Sequence, residues 1–460
     1  MAQITFGTDG WRAIIAEDFT VYNVQRVAWA TALWLKRQKN LPLRIVVGYD
    51  CRFGGPLFAR RIAEIFSAHG IRTMLSSDFV TTPMVSLAVR ELRAGLGVVI
   101  TASHNPPEYN GFKLKGAYGG PLLPEQVKEV EQLIPEHLPE FIPEPQLIQP
   151  ADLETLYISQ VRRHFNMKAI ESRSHYLAYN PMFGAGQRVM AKLLPELQLF
   201  NATHNPLFGG RPPEPIPRNM EDFAAWLEEN PEIQSALVTD GDADRIALYS
   251  SRARFVDSHH IILLLIHYLA HYRQQKGLVV TAFSTTDRVK KLCAHYGLPH
   301  KSVKIGFKYI AGYFLDHDVL LGGEESGGIA IKGHIPERDG IWMGLTLWEF
   351  MATTGKTLDE LIGEVYAITG PFAYDRLDLS LPAEKKQQIM EAFAATPPQM
   401  LRRPVTLWED LDGFKCHFAQ GGWLMVRASG TEPVIRVYAE APNRSEVQQI
   451  LQDFRQTFDL

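Results

Sequence analysis

Apolar residues along this chain fall into runs of two alternating kinds. From Thr20 to Lys39 they recur every three or four positions, at Val24, Val27, Ala28, Thr31 and Leu35, which predicts an amphipathic helix. Leu43 to Gly48 is a short apolar stretch that predicts a strand, and Pro56 to His69 predicts a second helix. Two further runs end abruptly in polar loops. Gly97–Ile100 leads into Thr101-Ala102-Ser103-His104-Asn105-Pro106-Pro107, and Ser235–Val238 leads into Thr239-Asp240-Gly241-Asp242-Ala243-Asp244-Arg245. The prolines at 106 and 107 forbid both strand and helix from continuing, so Ser103 is expected on a rigid turn at a strand's carboxyl end, where open α/β sheets place ligands. Asp318–Gly328 repeats the arrangement. Helix–strand alternation argues for parallel α/β sheets.

Prolines mark the irregular stretches. Pro135, Pro139, Pro143, Pro145 and Pro150 stand too close for a helix interior and predict an extended linker. Pro206 to Pro217 predicts an irregular loop before Asp240. A third cluster, Pro397-Pro398 to Pro404, falls late in the chain.

Composition narrows the class without naming a chemistry. A length of 460 residues allows about three domains, or four small ones. Hydrophobic content of 46% and charged content of 21% are ordinary for a globular protein. The net charge of −4 leaves no basic footprint for nucleic acid, so an anionic ligand must be attracted by local Arg and Lys. The longest aliphatic stretch, Ile261 to Ile266, is too short to span a bilayer, and the N-terminus has no apolar signal core; no membrane partner and a cytoplasmic location are expected. Cys51, Cys293 and Cys416 lie far apart with no metal spacing and read as reduced structural thiols.

Four loops carry candidate chemistry. Ser103 offers a hydroxyl nucleophile. Asp240, Asp242 and Asp244 are carboxylates at i, i+2 and i+4, which repel unless a hard cation such as Mg2+ sits among them. A calcium EF-hand is excluded, because its Gly and Glu positions hold Arg245 and Ser251. Gly322-Gly323-Glu324-Glu325-Ser326-Gly327-Gly328 sets two carboxylates and a hydroxyl among glycines; it suits sugar hydroxyls, a metal, or a plain acidic turn. Arg427-Ala428-Ser429-Gly430-Thr431-Glu432-Pro433, with Arg436, is either a phosphate cradle or a surface turn. Together these parts suit phosphoryl transfer on a sugar phosphate, which depends on charge neutralisation and positioning.

These four loops, in this order, resemble the signature loops of the α-D-phosphohexomutases. Phe6-Gly7-Thr8-Asp9-Gly10-Trp11-Arg12 resembles that family's N-terminal motif, and Asn110-Gly111-Phe112-Lys113 another of its elements. The matches span residues 6 to 436, nearly the whole chain. The resemblance implies an α/β protein: three related α/β domains with mixed or parallel sheets and a smaller α+β C-terminal domain, around a central cleft. With the proline-rich stretches, domains are expected at 1–145, 146–253, 254–368 and 369–460.

The resemblance also implies roles. Ser103 would carry the phosphoryl group, and Asp240, Asp242 and Asp244 would bind Mg2+ with a phosphoserine oxygen. Arg245 would pair with the same phosphate. Glu324 and Ser326 would bind sugar hydroxyls, with Lys308 a substrate contact; Arg338 and Asp339 are weaker candidates of the same kind. Arg427, Ser429, Gly430, Thr431 and Arg436 would hold the phosphate that is not reacting. Arg12 would position phosphate. Lys113 is expected as general base, its pKa lowered by neighbouring cations, with His104 orienting.

The implied reaction interconverts glucose 1-phosphate and glucose 6-phosphate. Phosphoserine donates to one sugar oxygen, the resulting glucose 1,6-bisphosphate (also the activator) turns around in the cleft, and Ser103 takes back the other phosphate. The fourth domain, after a segment near residue 368, is the expected mover that closes the site to water. Substrate choice is divided. Glu325 stands where glucosamine phosphate mutases usually place Gln, which favours glucose with mannose second, whereas Phe-Gly-Thr-Asp-Gly is shared with the glucosamine group. Gly328 stands where the family loop usually has a His. A sugar phosphatase, which would release phosphate without isomerised product, and a non-catalytic sugar-phosphate sensor are the readings from other classes. Nothing in the sequence specifies an oligomeric state.

Overall fold

A computed structural model describes residues 4–7, 9–395, 403–428 and 434–460. The expected elements form with small shifts at their ends. The first helix runs Val21–Arg37: the Thr20 side chain caps it by accepting from the Asn23 N–H at 3.2 Å, and Lys36 and Arg37 suit the negative end of its dipole. The next strand is Arg44–Tyr49 and the second helix Gly55–Ala68, with Pro56 in its first turn, where a missing N–H costs nothing.

Four sheets follow one another along the described residues. The first has the order Trp11–Ile14, Tyr109–Gly116, Leu96–Ile100, Arg44–Tyr49, Arg72–Ser76, Ile148–Ala151, with Gly120–Pro121 pairing beside Tyr109–Gly116. Its last four strands are parallel, and Tyr109–Gly116 runs antiparallel to Leu96–Ile100. In the second sheet, Ser235–Thr239 is parallel to Leu177–Asn180 and antiparallel to Ile246–Ser250. In the third, Val319–Gly323 is parallel to Leu278–Ala282 and antiparallel to Ile329–Ile331. The fourth sheet is wholly antiparallel, in the order Ala373–Ser380, Val434–Ala441, Trp423–Ala428, Phe414–Phe418, Val405–Glu409.

One device recurs in the first three sheets. A buried parallel strand ends in a polar loop, and the chain returns as an antiparallel neighbour: Leu96–Ile100 before Ser103, Ser235–Thr239 before the acidic triad, Val319–Gly323 before Glu324. Each loop is thereby held at both ends by a ladder.

The stretch expected as an extended linker is only partly one. Pro145–Leu147 makes a turn of 3-10 helix, and Ile148–Ala151 joins the first sheet beyond the boundary expected at residue 145. Pro150 is tolerated there because the strand lies at the sheet's edge, where one side of the backbone needs no partner. The loop from Pro206 to Pro217 is irregular as expected, with short 3-10 turns. Pro397 and Pro398 lie outside the described residues.

Burial explains which parts are welded together. One apolar core runs through the first three sheets, joining Val85 and Val99 to Tyr157, Leu237, Ile262 and Trp348. The helix Gly340–Thr354 lies within it and is buried on nearly every face, with Asp339 capping its first turn from 3.0 Å. The last sheet has its own core, which includes Ile389, Phe393, Leu424 and Phe454. It meets the third unit through a small cluster of Phe283, Trp423, Met425 and Tyr438. A unit with a separate core and a small interface is the one that can move as a body.

Candidate active site

The polar loops of the first three sheets converge. Ser103 is buried, with φ of 54°, in the left-handed region that a serine adopts only when its surroundings hold it there. Its Oγ donates to Asp240 Oδ2 at 2.6 Å, across 137 positions of sequence, and lies 3.3 Å from His104 Nδ1. The approach is close because residue 241 has no side chain: a Cβ there would stand 2.5 Å from the Ser103 carbonyl oxygen.

Asp240, Asp242 and Asp244 are fully buried, and one oxygen of each lies within 4.8 Å of the others. Asp242 Oδ2 accepts from Thr82 Oγ1 at 2.5 Å and from Lys113 Nζ at 2.7 Å, and Asp244 Oδ2 accepts from Lys113 Nζ at 2.9 Å. The Oδ1 atoms of Asp242 and Asp244 are buried without a hydrogen-bond partner. Burial and the charges of Asp242 and Asp244 push Asp240 well above the usual carboxylate range. Burial opposes ionisation of Asp242 too, but Lys113 and Thr82 outweigh it and hold that carboxyl below its ordinary value. Mutual repulsion, all-oxygen donors and two orphaned oxygens fit a hard divalent cation such as Mg2+.

Lys113 corrects an expectation. The cations meant to lower its pKa are outweighed by carboxylates, for its Nζ lies 2.9 Å from Asp9 Oδ2 as well as against Asp242 and Asp244. Burial alone would lower the ammonium, yet the three carboxylates raise it above its ordinary value, so Lys113 holds its proton. His104 behaves oppositely. Burial, followed by Arg245, Arg12, Lys113 and Arg52, holds its pKa well below the usual value, and the imidazole is neutral at pH 7.

The remaining predicted residues divide by location. Arg12 donates to Asn105 Oδ1 at 2.7 Å, beside the Ser103 turn. Arg245 spans the loops: its N–H meets Asp240 Oδ1 at 3.0 Å and its guanidinium lies 3.4 Å from His104 Nε2. Glu324 is buried and accepts from the Gly306 N–H at 2.9 Å. Ser326 is half-buried in the same loop, which is tied to the strand after the acidic triad by the Ile246 N–H donating to the Gly327 carbonyl at 3.1 Å. Lys308 lines a small cavity with Phe6, Gly7, Gly10 and Asp9, the last held by Lys113. Arg427 donates to Asp412 Oδ1 at 3.1 Å, and Asp412 Oδ2 accepts from the Ile305 N–H at 2.8 Å. That chain joins the last unit to the turn that holds Glu324. Arg436 pairs with Asp378 at 3.6 Å. Ser429, Gly430 and Thr431 lie outside the described residues, as does Thr8.

Several residues were missed as site residues. Asp9 is ringed by Lys113, Lys115 and Arg338, and Arg338 also meets Asp244 at 2.8 Å. Arg338 fills the space beside residue 328, where a Cβ would stand 2.5 Å from its Cδ. Asp339, the other weaker candidate, serves the fold: it caps a helix and accepts from Tyr157 OH at 2.9 Å. Asp50 and Arg52, behind the Ser103 turn, were legible in principle, since Arg44–Tyr49 also runs straight from apolar strand into polar loop.

Glu324 supplies a pH prediction. Burial pushes its carboxyl from the ordinary 4.5 up to about 7, with Glu325 adding and Arg338 opposing. The folded protein therefore binds a proton that the unfolded chain has already lost between those two values. Stability from this group is full below about pH 4.5 and disappears as pH rises through about 7, a loss of up to about 3 kcal/mol. Urea unfolding from pH 5 to 8 should show a shallower decline for Glu324→Gln than for the parent; equal slopes would refute the assignment.

Comparison with known proteins now identifies the class. The phosphoglucomutase/phosphomannomutase family matches in all four parts: its alpha/beta/alpha domains I, II and III at residues 3–139, 155–252 and 257–368, and its C-terminal domain at 381–457. The chain belongs to this family, the α-D-phosphohexomutases, which are isomerases. It is 29% identical to the phosphoglucomutase/phosphomannomutase of Thermococcus kodakarensis, over 97% of this chain and 96% of the relative. It is 28% identical to the phosphoglucosamine mutase of Levilactobacillus brevis, over 96% and 95%. Its fold superposes on the crystal structure of a Thermus thermophilus protein assigned as a phosphomannomutase, with a TM-score of 0.88, 34% identity and full coverage of both chains.

Proposed function

We propose that this protein is a phosphoglucomutase that converts glucose 1-phosphate to glucose 6-phosphate through phosphoserine at Ser103 and a glucose 1,6-bisphosphate intermediate. The observation that carries this reading is the 2.6 Å contact between Ser103 Oγ and Asp240, which sets a buried hydroxyl at the edge of a triad suited to a divalent cation. Asp240, Asp242 and Asp244, with a phosphoserine oxygen, would hold Mg2+, which when bound offsets negative charge on the phosphoryl group.

The chain's own residues supply the rest. His104 orients the nucleophile: with Arg245 donating towards Nε2, the neutral ring presents its Nδ1–H to Ser103 Oγ at 3.3 Å, while the hydroxyl proton lies against Asp240. Lys113 stays charged and orders Asp9, Asp242 and Asp244. Arg245 and Arg12 bring positive charge to the transferring group from opposite loops. Glu324 and Ser326 bind sugar hydroxyls, while Arg427 and its neighbours Ser429, Gly430 and Thr431, with Arg436, hold the second phosphate. Lys308, beside Asp9, contacts the substrate from the third unit.

Glucose is favoured by Glu325 and by the combined glucose and mannose name of the Thermococcus relative. Glu325 accepts from Ser284 Oγ at 2.5 Å, so its influence on the sugar passes through the third unit's framework. The phosphoglucosamine mutase relatives support glucosamine phosphate as the second reading. The test follows glucose 6-phosphate formation from glucose 1-phosphate with Mg2+ and trace glucose 1,6-bisphosphate, beside mannose and glucosamine 1-phosphates. The expected order is glucose, mannose, glucosamine. Rapid glucosamine 6-phosphate without glucose 6-phosphate would replace the first reading with the second, and inorganic phosphate without isomerised sugar would make the protein a phosphatase.

A further inference from the structure

We propose that Asp50 and Arg52 are positioning residues for the nucleophile, clamping the Ser103 turn in the left-handed backbone conformation from which its hydroxyl faces the acidic triad. The inference rests on the phosphoserine reading and adds residues to it. Both backbone polar groups of Ser103 are captured by one buried ring. Its N–H donates to Thr101 Oγ1 at 2.9 Å, Thr101 donates in turn to Asp50 Oδ2 at 2.5 Å, and Asp50 Oδ1 accepts from the Arg52 N–H at 2.9 Å. Arg52 closes the ring by donating through Nη2 to the Ser103 carbonyl at 2.8 Å.

The same guanidinium holds the rest of the loop. Nη2 also donates to the Asn105 carbonyl at 2.6 Å, and Nη1 to those of Pro106 and Tyr109 at 2.8 and 2.9 Å. These carbonyls lie along the loop interrupted by two prolines and at the first residue of the strand that follows it, where the prolines leave the ladder incomplete. Only a planar fork with parallel N–H donors serves four carbonyls at once. The ring is sealed: Asp50 and Arg52 are 1% and 2% exposed, their charges face each other at 3.4 Å, and Phe208 of the second unit lies under the guanidinium. Arg52 therefore makes no hydrogen bond to the reacting hydroxyl and positions it through the Ser103 backbone, and its charge, which also bears on His104, is kept in a lysine variant.

Arg52→Lys keeps the charge and loses the fork. It should lower kcat about 100-fold while KM for glucose 1-phosphate stays within about threefold, the signature of misplacing a reacting atom rather than weakening substrate binding. The rate at which glucose 1,6-bisphosphate phosphorylates Ser103, read by quenched-flow intact mass, should fall in parallel. Thr101→Val keeps the shape and breaks the other half of the ring, with the same split expected; should Arg52→Lys not fold, this variant decides. Circular dichroism and a melting curve establish that each variant is folded. A kcat within about threefold of the parent in the folded variants overturns the clamp, and so does a rise in KM alone. If the parent turns over sugar phosphate through phosphoserine and the variants match it, only the clamp is lost. If the parent gains no phosphate on Ser103, the phosphoserine reading is wrong and the clamp's role goes with it.

Discussion

Ser103→Ala should leave a folded protein whose mutase turnover has fallen by on the order of 10^6-fold, as when a covalent nucleophile is removed from a working constellation. The fold should survive because the turn is held through backbone groups that alanine retains: the N–H on Thr101 and the carbonyl on Arg52. Asp240 loses one donor but keeps the Arg245 N–H at 3.0 Å. Serine and alanine carry the same Cβ into the left-handed conformation, so the steric strain at φ of 54° is little changed. Chemistry changes completely, because no other hydroxyl is described against Asp240. Two readouts should agree: glucose 6-phosphate formation in a coupled assay, and mass gain after exposure to glucose 1,6-bisphosphate. Turnover near the parent's level would remove Ser103 from the mechanism.

Asp242→Asn is the second substitution with a large expected effect. In the parent, Mg2+ at 100 times its Kd should raise the stability by about 2.7 kcal/mol, because an ion that binds only the folded triad shifts the unfolding equilibrium by mass action. Asn supplies one neutral oxygen where a carboxylate stood, and one of the two orphaned Oδ1 atoms disappears as a charged ligand. The Mg2+-dependent rise in melting temperature should vanish, and turnover should fall by at least about 10^3-fold. Chelation of the parent with EDTA should give the same loss of turnover, reversed by added Mg2+. Without the ion, Asp242→Asn should itself cost little, since Lys113 keeps Asp9 and Asp244 as partners. A variant that still melts higher in Mg2+ and still turns over would place the cation elsewhere.

The legibility of this site follows from how its parts are made. The loops at Ser103, Asp240 and Glu324 stand out because each follows a short apolar run, which foreshadowed the strand before each loop but not the antiparallel strand that returns after it. The pKa of Lys113 could not be read the same way. Its expected neighbours were cations, whereas its nearest charged neighbours in space are Asp9, Asp242 and Asp244. Asp50 and Arg52 carried the same local sign as the other loops, but the carbonyls that Arg52 holds lie more than fifty positions away. Ile148–Ala151 was hidden for a different reason, because proline density argues against a strand unless its edge position is known.

Sequence alone therefore determined the α/β character, the strand ends that deliver chemistry and the kinds of atom available there, because periodicity, proline placement and side-chain type act within a few residues. Only the tertiary structure decided which atoms meet, which carboxyl is pushed up and which is held down, and that an arginine fills the space beside Gly328. Those outcomes depend on burial and on charges brought together across 129 to 137 positions, where Coulomb energy and desolvation respond to distance in space and not to distance along the chain.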